Sequence, residues 1–431
     1  MDWIGGGLLL LLPPAIVYFL NDRMFWPVAL SLMLIMVCVM LAFWVRNRPV
    51  SLAWILVIAI VGRLFFLMLD PALSDDMYRY VWDGNLLTAG NNPYLSLPSD
   101  AIHTVRQGSI LYENMNSPDY YSVYPPVSQF VFGLGSWLAA GSESAAIFIT
   151  KVIISLVEVV ALFLLATMIQ WRGFILYAWN PIIMVETWGQ GHSEGIAVGL
   201  LVLGLWALHH RLPIVSLVGV TLAGWVKLYP LLLLPFVLRR TGWRYLPVPV
   251  FVSVLVWLPF VWPIEELISG LRNIGQSIRL YSSLFEFNAG IYYSIRWLLD
   301  DVLRPLVTNM WLGHHLGKVM QALFLVWCCW LFWIDRSAKR PLHEIAIWMF
   351  GGFVLLSAII HPWYFVLIIA MIALAQSVPW SLLWLAIMSQ ASYLFYSHDL
   401  KFEMVLFVWI GWLVIVLWKD VPKIVQRALN A

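Results

Sequence analysis

Apolar runs of nearly twenty residues recur along the chain, parted by short polar breaks, at about 4–20, 24–45, 50–69, 145–169, 173–188, 194–208, 213–238, 245–262, 311–334, 343–360, 363–378, 380–396 and 403–418. A helix needs roughly twenty apolar residues to cross the hydrocarbon core of a bilayer. The pattern therefore predicts an all-α polytopic membrane protein, a bundle of about 11–13 transmembrane helices. One apolar run, 127–140, is short for a crossing and is expected to return to the side it left. Two other segments, 101–115 and 264–285, are mildly amphipathic and predict outer-face helices lying along the membrane surface. No internal repeat, low-complexity tract or separate soluble domain interrupts the chain. Residues 1–431 are expected to form a single integral membrane domain, with 1–48 as two extra N-terminal spans and 70–121 and 263–288 as a first and second outer loop.

Composition agrees with this reading. Hydrophobic residues make up 62% of the chain and charged residues 11%, roughly half the charged share of a soluble domain. The 26 Trp and 17 Tyr suit the bilayer interface, and so many Trp also suit stacking on sugars. The net charge of +2 matters less than where Lys and Arg fall. Arg46, Arg48, Arg172, Arg211, the groups Arg239–Arg240–Arg244 and Arg336–Lys339–Arg340, and the tail residues Lys419, Lys423 and Arg427 are predicted to be cytoplasmic. Both termini then lie inside. The loop 70–121, the segment GQGHSEG (Gly189 to Gly195), the loop 263–288 and HPWY (His361 to Tyr364) all fall on the outer face. Cys38, Cys328 and Cys329 lie in apolar runs without metal-ligand spacing, which indicates neither a disulfide framework nor a zinc site. The opening MDWIGGGLLLLLPPAIVYFL lacks a basic start and a small-residue cleavage site, so it reads as the first span rather than a signal peptide.

Against this apolar background one stretch stands out. SDDMYRYVWDG, Ser74 to Gly84, carries Asp75, Asp76, Arg79 and Asp83 at the edge of the membrane. With Ser74 as a helix cap, Asp75 and Asp76 occupy the first turn, where exposed amides and the macrodipole favour carboxylates. Asp76, Arg79 and Asp83 share one helical face. A capped surface helix with an internal ion pair accounts for the group. So does a carboxylate poised to take a proton from an incoming hydroxyl, with Arg79 steering a phosphate or holding the acid ionised. Lys227 interrupts an apolar run, where a charge is costly by roughly 2.5–3.5 kcal/mol. It is expected to bind a phosphate, to pair with Glu186 or Glu194, or to snorkel. His192 and Glu194 sit among glycines where a span begins and suit hydrogen bonds to sugar hydroxyls or a polar inter-helix turn. His361 precedes Pro362, so the preceding helix should end nearby; its imidazole suits a phosphate, and Trp363 and Tyr364 suit stacking on a sugar or an aromatic belt. Glu158 is expected to be an inter-helix hydrogen-bond partner.

In order along the chain, SDDMYRYVWDG, GNNPY, VYPPVSQ, WNPIIMVETWGQGHSEG, GWVKLYP and HPWY resemble the motifs of membrane glycosyltransferases of the C-type (GT-C) fold, over about residues 60–365. The chain is most similar to bacterial polyprenol-phosphate-mannose-dependent transferases and to the catalytic subunit of the first mannosyltransferase of GPI-anchor synthesis. The GPI enzyme carries a spaced Asp-x-Asp. Aligned without gaps on Asp83, its first Asp falls on Asp75 and its second on Met77, so an adjacent pair stands here in place of a spaced one and either Asp75 or Asp76 can be the base, with this register favouring Asp75. The resemblance implies inverting transfer of a hexose, mannose above all, from a polyprenyl-phosphate carrier to a glycolipid or glycan acceptor. The site is expected on the periplasmic or extracellular side of a bacterial inner membrane. Arg79, Lys227 and His361 would bind the donor phosphate. Tyr78, Asp83, Tyr94, Tyr124, Glu186, His192, Glu194, Tyr229, Trp363 and Tyr364 would contact sugar or acceptor. No cofactor is required, although a divalent metal is compatible with the paired Asp residues. The rival readings are a secondary transporter or lipid-linked sugar flippase, for which intramembrane Lys227 and Glu158 and the Pro- and Gly-broken segments speak, and a structural subunit of a larger complex.

Overall fold

A computed structural model describes residues 2–101, 109–261, 264–283, 285–303, 315–375, 378–396 and 401–422. The protein is an all-α polytopic membrane protein; among the described residues the one strand-type pairing is an isolated bridge between Phe287 and Ile359. Among the described residues, four helical stretches are long and apolar enough to cross a bilayer: Arg23–Trp44, Glu143–Met168, Trp243–Phe260 and Leu316–Ile334. A fifth forms if Pro181–Gly189 and Glu194–His209 are one span bent by 117°. Gly5–Leu20, Leu52–Leu67, Pro213–Gly224, Leu342–Leu355 and Pro362–Leu374 are shorter apolar helices. Among the described residues several apolar runs are shorter helices or are divided by Pro and Gly rather than forming one long unbroken helix. The stretch 213–238, for example, resolves into the helix Pro213–Gly224, a turn carrying Lys227, a 3-10 turn at Tyr229–Leu233 and the helix Leu234–Thr241. Pro230 and Pro235 lack the N–H that a continuous helix would use.

The short helix Pro126–Leu138 has 13 residues, about 20 Å of rise, well under the ~30 Å hydrocarbon core. It packs against the helix Asp76–Thr88. Gly84 makes that approach feasible, since a Cβ there would lie 2.3 Å from the Phe132 carbonyl oxygen. The amphipathic helix Ile264–Ser283 exposes Ile264, Ile268, Leu271 and Ile278, an apolar stripe suited to the bilayer surface. Of the other expected surface segment, residues 102–108 lie outside the described residues, and Ile110–Asn114 is a short helix.

Deep in the bundle, Glu158 is the inter-helix partner its position suggested. Arg63 holds it in a bidentate pair, Nη2 to Oε1 at 3.0 Å and Nε to Oε2 at 3.1 Å. Tyr177 Oη donates to Oε1 at 2.6 Å, and Trp188 Nε1 donates to Oε2 at 2.9 Å. Every partner is buried, so both charges are compensated where water cannot reach them. Trp188 belongs to the π-turn Met184–Gly189. The pair therefore anchors the bend at GQGHSEG. The backbone there turns sharply: His192 N–H donates to Glu186 O at 2.8 Å, and Gly191 sits at φ +70°. A Cβ at Gly191 would be 2.2 Å from Met77 Cε.

Candidate active site

At the start of SDDMYRYVWDG, Ser74 Oγ accepts from the Asp76 N–H at 3.3 Å. Asp75 is the N-terminal flanking residue, and the helix runs from Asp76 to Thr88. The cap is thus as expected, displaced by one residue. Asp75 and Asp76 line a cavity of about 500 Å³ together with Tyr124, Lys227, His361, Trp363 and Tyr364. Burial pushes the Asp75 carboxyl above its usual range; the Arg23 guanidinium pulls it down and the Asp76 charge pushes it further up. A carboxylate raised in this way is a stronger base than a free one while it stays ionised.

The rest of the stretch ties the motifs to one another. Arg79 Nε donates to Asp83 Oδ1 at 2.8 Å, and its Nη1 donates to the carbonyls of Ser117 and Tyr120 at 2.9 and 2.8 Å. Asp83 Oδ2 accepts from Ser122 Oγ and from Gln129 Nε2, the latter at 3.0 Å. Both residues are buried and neither lines the cavity. The phosphate role expected of Arg79 and the sugar role expected of Asp83 thus give way to an ion pair that clamps loop 117–122 and the start of helix Pro126–Leu138. That helix in turn holds the Lys227 turn: Val127 N–H donates to Trp225 O at 3.1 Å, and Ser128 Oγ to Val226 O at 3.0 Å. Tyr94 is also a buttress. Its ring packs on Trp257 and Phe260, and its hydroxyl donates to Tyr124 O at 2.7 Å. Tyr78 sits partly buried beside Asp75 without lining the cavity.

Lys227 Nζ lies 3.0 Å from Glu194 Oε1, the lysine 16% exposed and the glutamate wholly buried. It also lies 5.7 Å from the Tyr124 ring centroid. Lys227, Tyr124 and Tyr364 also line a neighbouring, more apolar cavity of about 330 Å³, walled by Leu228, Phe324, Phe353 and Leu356. Tyr229 belongs to this second space, stacked on Phe353 at 5.2 Å. The cation stands where a polar chamber meets a greasy one.

Glu186, His192 and Glu194 are wholly buried and line neither cavity. None of the three sugar-binding residues expected here stands at a cavity wall in this structure. Glu186 accepts from Gln390 Nε2 at 2.6 Å and from Tyr393 Oη at 2.9 Å. His192 Nδ1 approaches Glu186 Oε2 at 2.9 Å, an ion-pair distance at an angle that makes no aligned hydrogen bond. The His192 ring stacks on Trp363 at 4.0 Å, and Trp363 stacks on His361 at 4.1 Å. Phe287 covers the other side of His361 at 4.7 Å. Burial in this column, with His192 and Lys227 nearby, drives the His361 pKa down to about 3. The imidazole is neutral at ordinary pH and offers a phosphate one N–H but no charge.

The cavity also draws on residues that sequence reasoning passed over, among them Arg23, Trp26, Asn116, Tyr120 and Phe285. Their signal was present but weak, since a charge or aromatic in a loop between spans is ordinary. Among the described residues no group of three or more His, Cys, Asp or Glu is placed to hold a metal ion. A third cavity of about 300 Å³, lined by Trp327, Trp348 and Trp412, shares no residue with the other two.

A helical membrane bundle that brings paired carboxylates, a buried-edge lysine and stacked aromatics to one chamber, with a greasy chamber beside it, is the architecture of a membrane glycosyltransferase. A family model agrees: the alpha-(1->6)-mannopyranosyltransferase N-terminal domain, MptA_B family, matches residues 11–241, more than half of the chain. The chain belongs to that mannosyltransferase family. No match was found among curated proteins or among solved structures.

Proposed function

We propose that this protein transfers mannose from a polyprenyl-phosphate carrier to a glycolipid or glycan acceptor on the outer face of the membrane. The observation that carries the reading is the position of Lys227, at the junction of the polar cavity holding Asp75 and Asp76 and the apolar cavity beside it. A lipid-linked sugar phosphate has that same division: a polyprenyl chain for the apolar chamber, a phosphate for the cation, and a sugar for the aromatic and acidic chamber. The acceptor hydroxyl gives its proton to Asp75 or Asp76 as its oxygen attacks the anomeric carbon. The anomeric C–O bond to phosphate breaks, and the leaving phosphate is held by Lys227 and by a neutral N–H of His361. The family name carries an α(1→6) linkage. A single displacement yields an α product only from a β-linked donor, so the β-anomer of the carrier is the expected substrate. A divalent metal is not needed for a leaving group of one phosphate.

Orientation by the basic loops supports an outer-face site, with the membrane that of a bacterium. The bend of 117° at GQGHSEG is a feature that transporters also use, but membership of a mannosyltransferase family favours transfer. The test is purified protein in detergent, given radiolabelled β-mannosyl polyprenyl phosphate and an α-mannoside acceptor. Labelled product from the lipid donor, absent with a nucleotide-sugar donor, supports the reading. Product from the nucleotide sugar alone overturns it.

A further inference from the structure

The first two helices are joined by a short turn, and that turn reaches the cavity. Asp2–Leu20 and Trp26–Trp44 are linked through a 3-10 turn at Arg23–Phe25, capped by Asp22, whose Oδ1 accepts from the Met24 N–H at 2.9 Å. Trp26 fixes the turn to the bundle. It is 1% exposed, its Nε1 donates to Leu20 O at 3.2 Å, and its ring meets Tyr393, the residue that hydrogen-bonds Glu186. Arg23 thus enters the cavity wall from a held position, its guanidinium 5.5 Å from the Trp26 ring centroid.

Two cations line this cavity, and they differ. Lys227 already faces Glu194 at 3.0 Å. Arg23 makes no ion pair among the described residues and shares the wall with Asp75 and Asp76. We infer that Arg23 is a positioning residue, the countercharge that the N-terminal hairpin supplies to Asp75 acting as base. This rests on the transferase reading above and assigns a function to a hairpin that looks additional in the sequence. Physically, burial and a neighbouring carboxylate both push a carboxyl group up, and a cation in the same wall opposes them. At Asp75 these are its half-buried position, the Asp76 charge and Arg23. The groups facing Asp75 from other elements are Arg23, and across the cavity Tyr120, Tyr124, Lys227 and His361; on its own segment they are Asp76 and Tyr78, the latter also within reach of Asp70. Lys227 is already paired with Glu194 and His361 is neutral, which leaves Arg23 as the cation of this cavity without an ion-pair partner among the described residues.

The test is the pH profile of kcat/KM for Arg23→Gln, Arg23→Lys and Asp76→Asn, with Asp75→Asn alongside. Arg23→Gln is expected to move the acid limb to higher pH, with a several-fold loss at the acid end that narrows as pH rises, and Arg23→Lys to restore it. Asp76→Asn is expected to move the limb the opposite way, because it removes a like charge. An Arg23→Gln loss that is uniform across pH, or no loss at all, overturns the inference while Asp75→Asn inactivity keeps the transferase mechanism standing. Full activity of Asp75→Asn overturns the base assignment itself, and with it this inference.

Discussion

Lys227 serves two purposes that mutation can separate. It neutralises the wholly buried Glu194 at 3.0 Å, and it presents a charge to both cavities. Lys227→Met should leave Glu194 without a partner and weaken the fold, as removal of one member of a buried pair does by about 3–5 kcal/mol. It should also raise the donor KM by about one to two orders of magnitude, the range for a lost charge-assisted hydrogen bond of ~1.5–3 kcal/mol. Adding Glu194→Gln should recover most of the thermal stability in detergent but none of the KM. Recovery of both would mean that Lys227 is purely structural. His361 makes a separate prediction. Its pKa is about 3 in the fold against an ordinary 6.5, so the unfolded chain takes up a proton first as pH falls. Its contribution to stability is complete above about pH 6.5 and is lost progressively toward about pH 3. Asp75, raised by burial, acts in the opposite sense, so the two are distinguished by mutation. Melting temperatures measured across that window should fall less steeply for His361→Gln than for the native chain. Both residues were legible in the sequence because each is a polar side chain set in an apolar run. The pairing of Lys227 with Glu194 was one of the alternatives its position offered, whereas the cover of His361 by Phe287 was not, since the two meet only through the fold.

Among the elements, the bend at GQGHSEG depends on features far apart in sequence. Arg63 and Glu158 are separated by 95 positions, yet their pair receives Trp188 from the π-turn that begins the bend. Glu158→Gln should leave the Arg63 guanidinium underpaired in a dry environment and lower stability by about 3–5 kcal/mol, read as a marked drop in melting temperature. The double change Arg63→Met with Glu158→Leu should restore part of that loss, because apolar groups of similar volume replace a buried pair without leaving a charge behind. Gly191 is as restrictive in a different way. At φ +70° and with Met77 Cε 2.2 Å from a Cβ position, Gly191→Ala should shift the turn that carries His192 and Glu194, and hence Trp363 and Lys227. Apolar periodicity marked the spans on either side of this turn and its polarity marked it as a break. The angle of the break was not written in either signal, because it is set by Trp188, Arg63 and the missing Cβ acting together. Likewise Arg79 and Asp83 were correctly placed on one helical face, but their burial against loop 117–122 comes from packing that no local pattern encodes.

At the scale of the whole molecule, the polar and apolar chambers meet along Val123, Tyr124, Lys227, Ile278 and Tyr364. Ile278 comes from the amphipathic helix Ile264–Ser283, so that helix closes the seam on one side. Long-range order along the chain made the chamber predictable in outline: segments that hydropathy and basic residues assigned to one face contribute to it, among them 74–76, 116–120 and 361–364. The N-terminal hairpin was the exception, for its two apolar runs look like any other pair until Trp26 is seen seated on Tyr393. The greasy chamber gives the last prediction. Apolar chains leaving a bilayer or micelle for a protein groove gain little from the hydrophobic effect, because their surroundings are already apolar. What they gain is packing, and packing is sensitive to volume. Leu356→Trp, which fills space beside Phe353 and Phe324, should raise KM for long polyprenyl donors about fivefold, the equivalent of ~1 kcal/mol, and should leave a short-chain analogue that reaches only to Lys227 nearly unaffected. A wild-type preference for long chains that vanishes in the variant, at unchanged kcat, is the signature of a polyprenyl groove. Equal losses for long and short donors would place the lipid elsewhere and leave Lys227 to act on a phosphate whose chain stays in the surrounding bilayer.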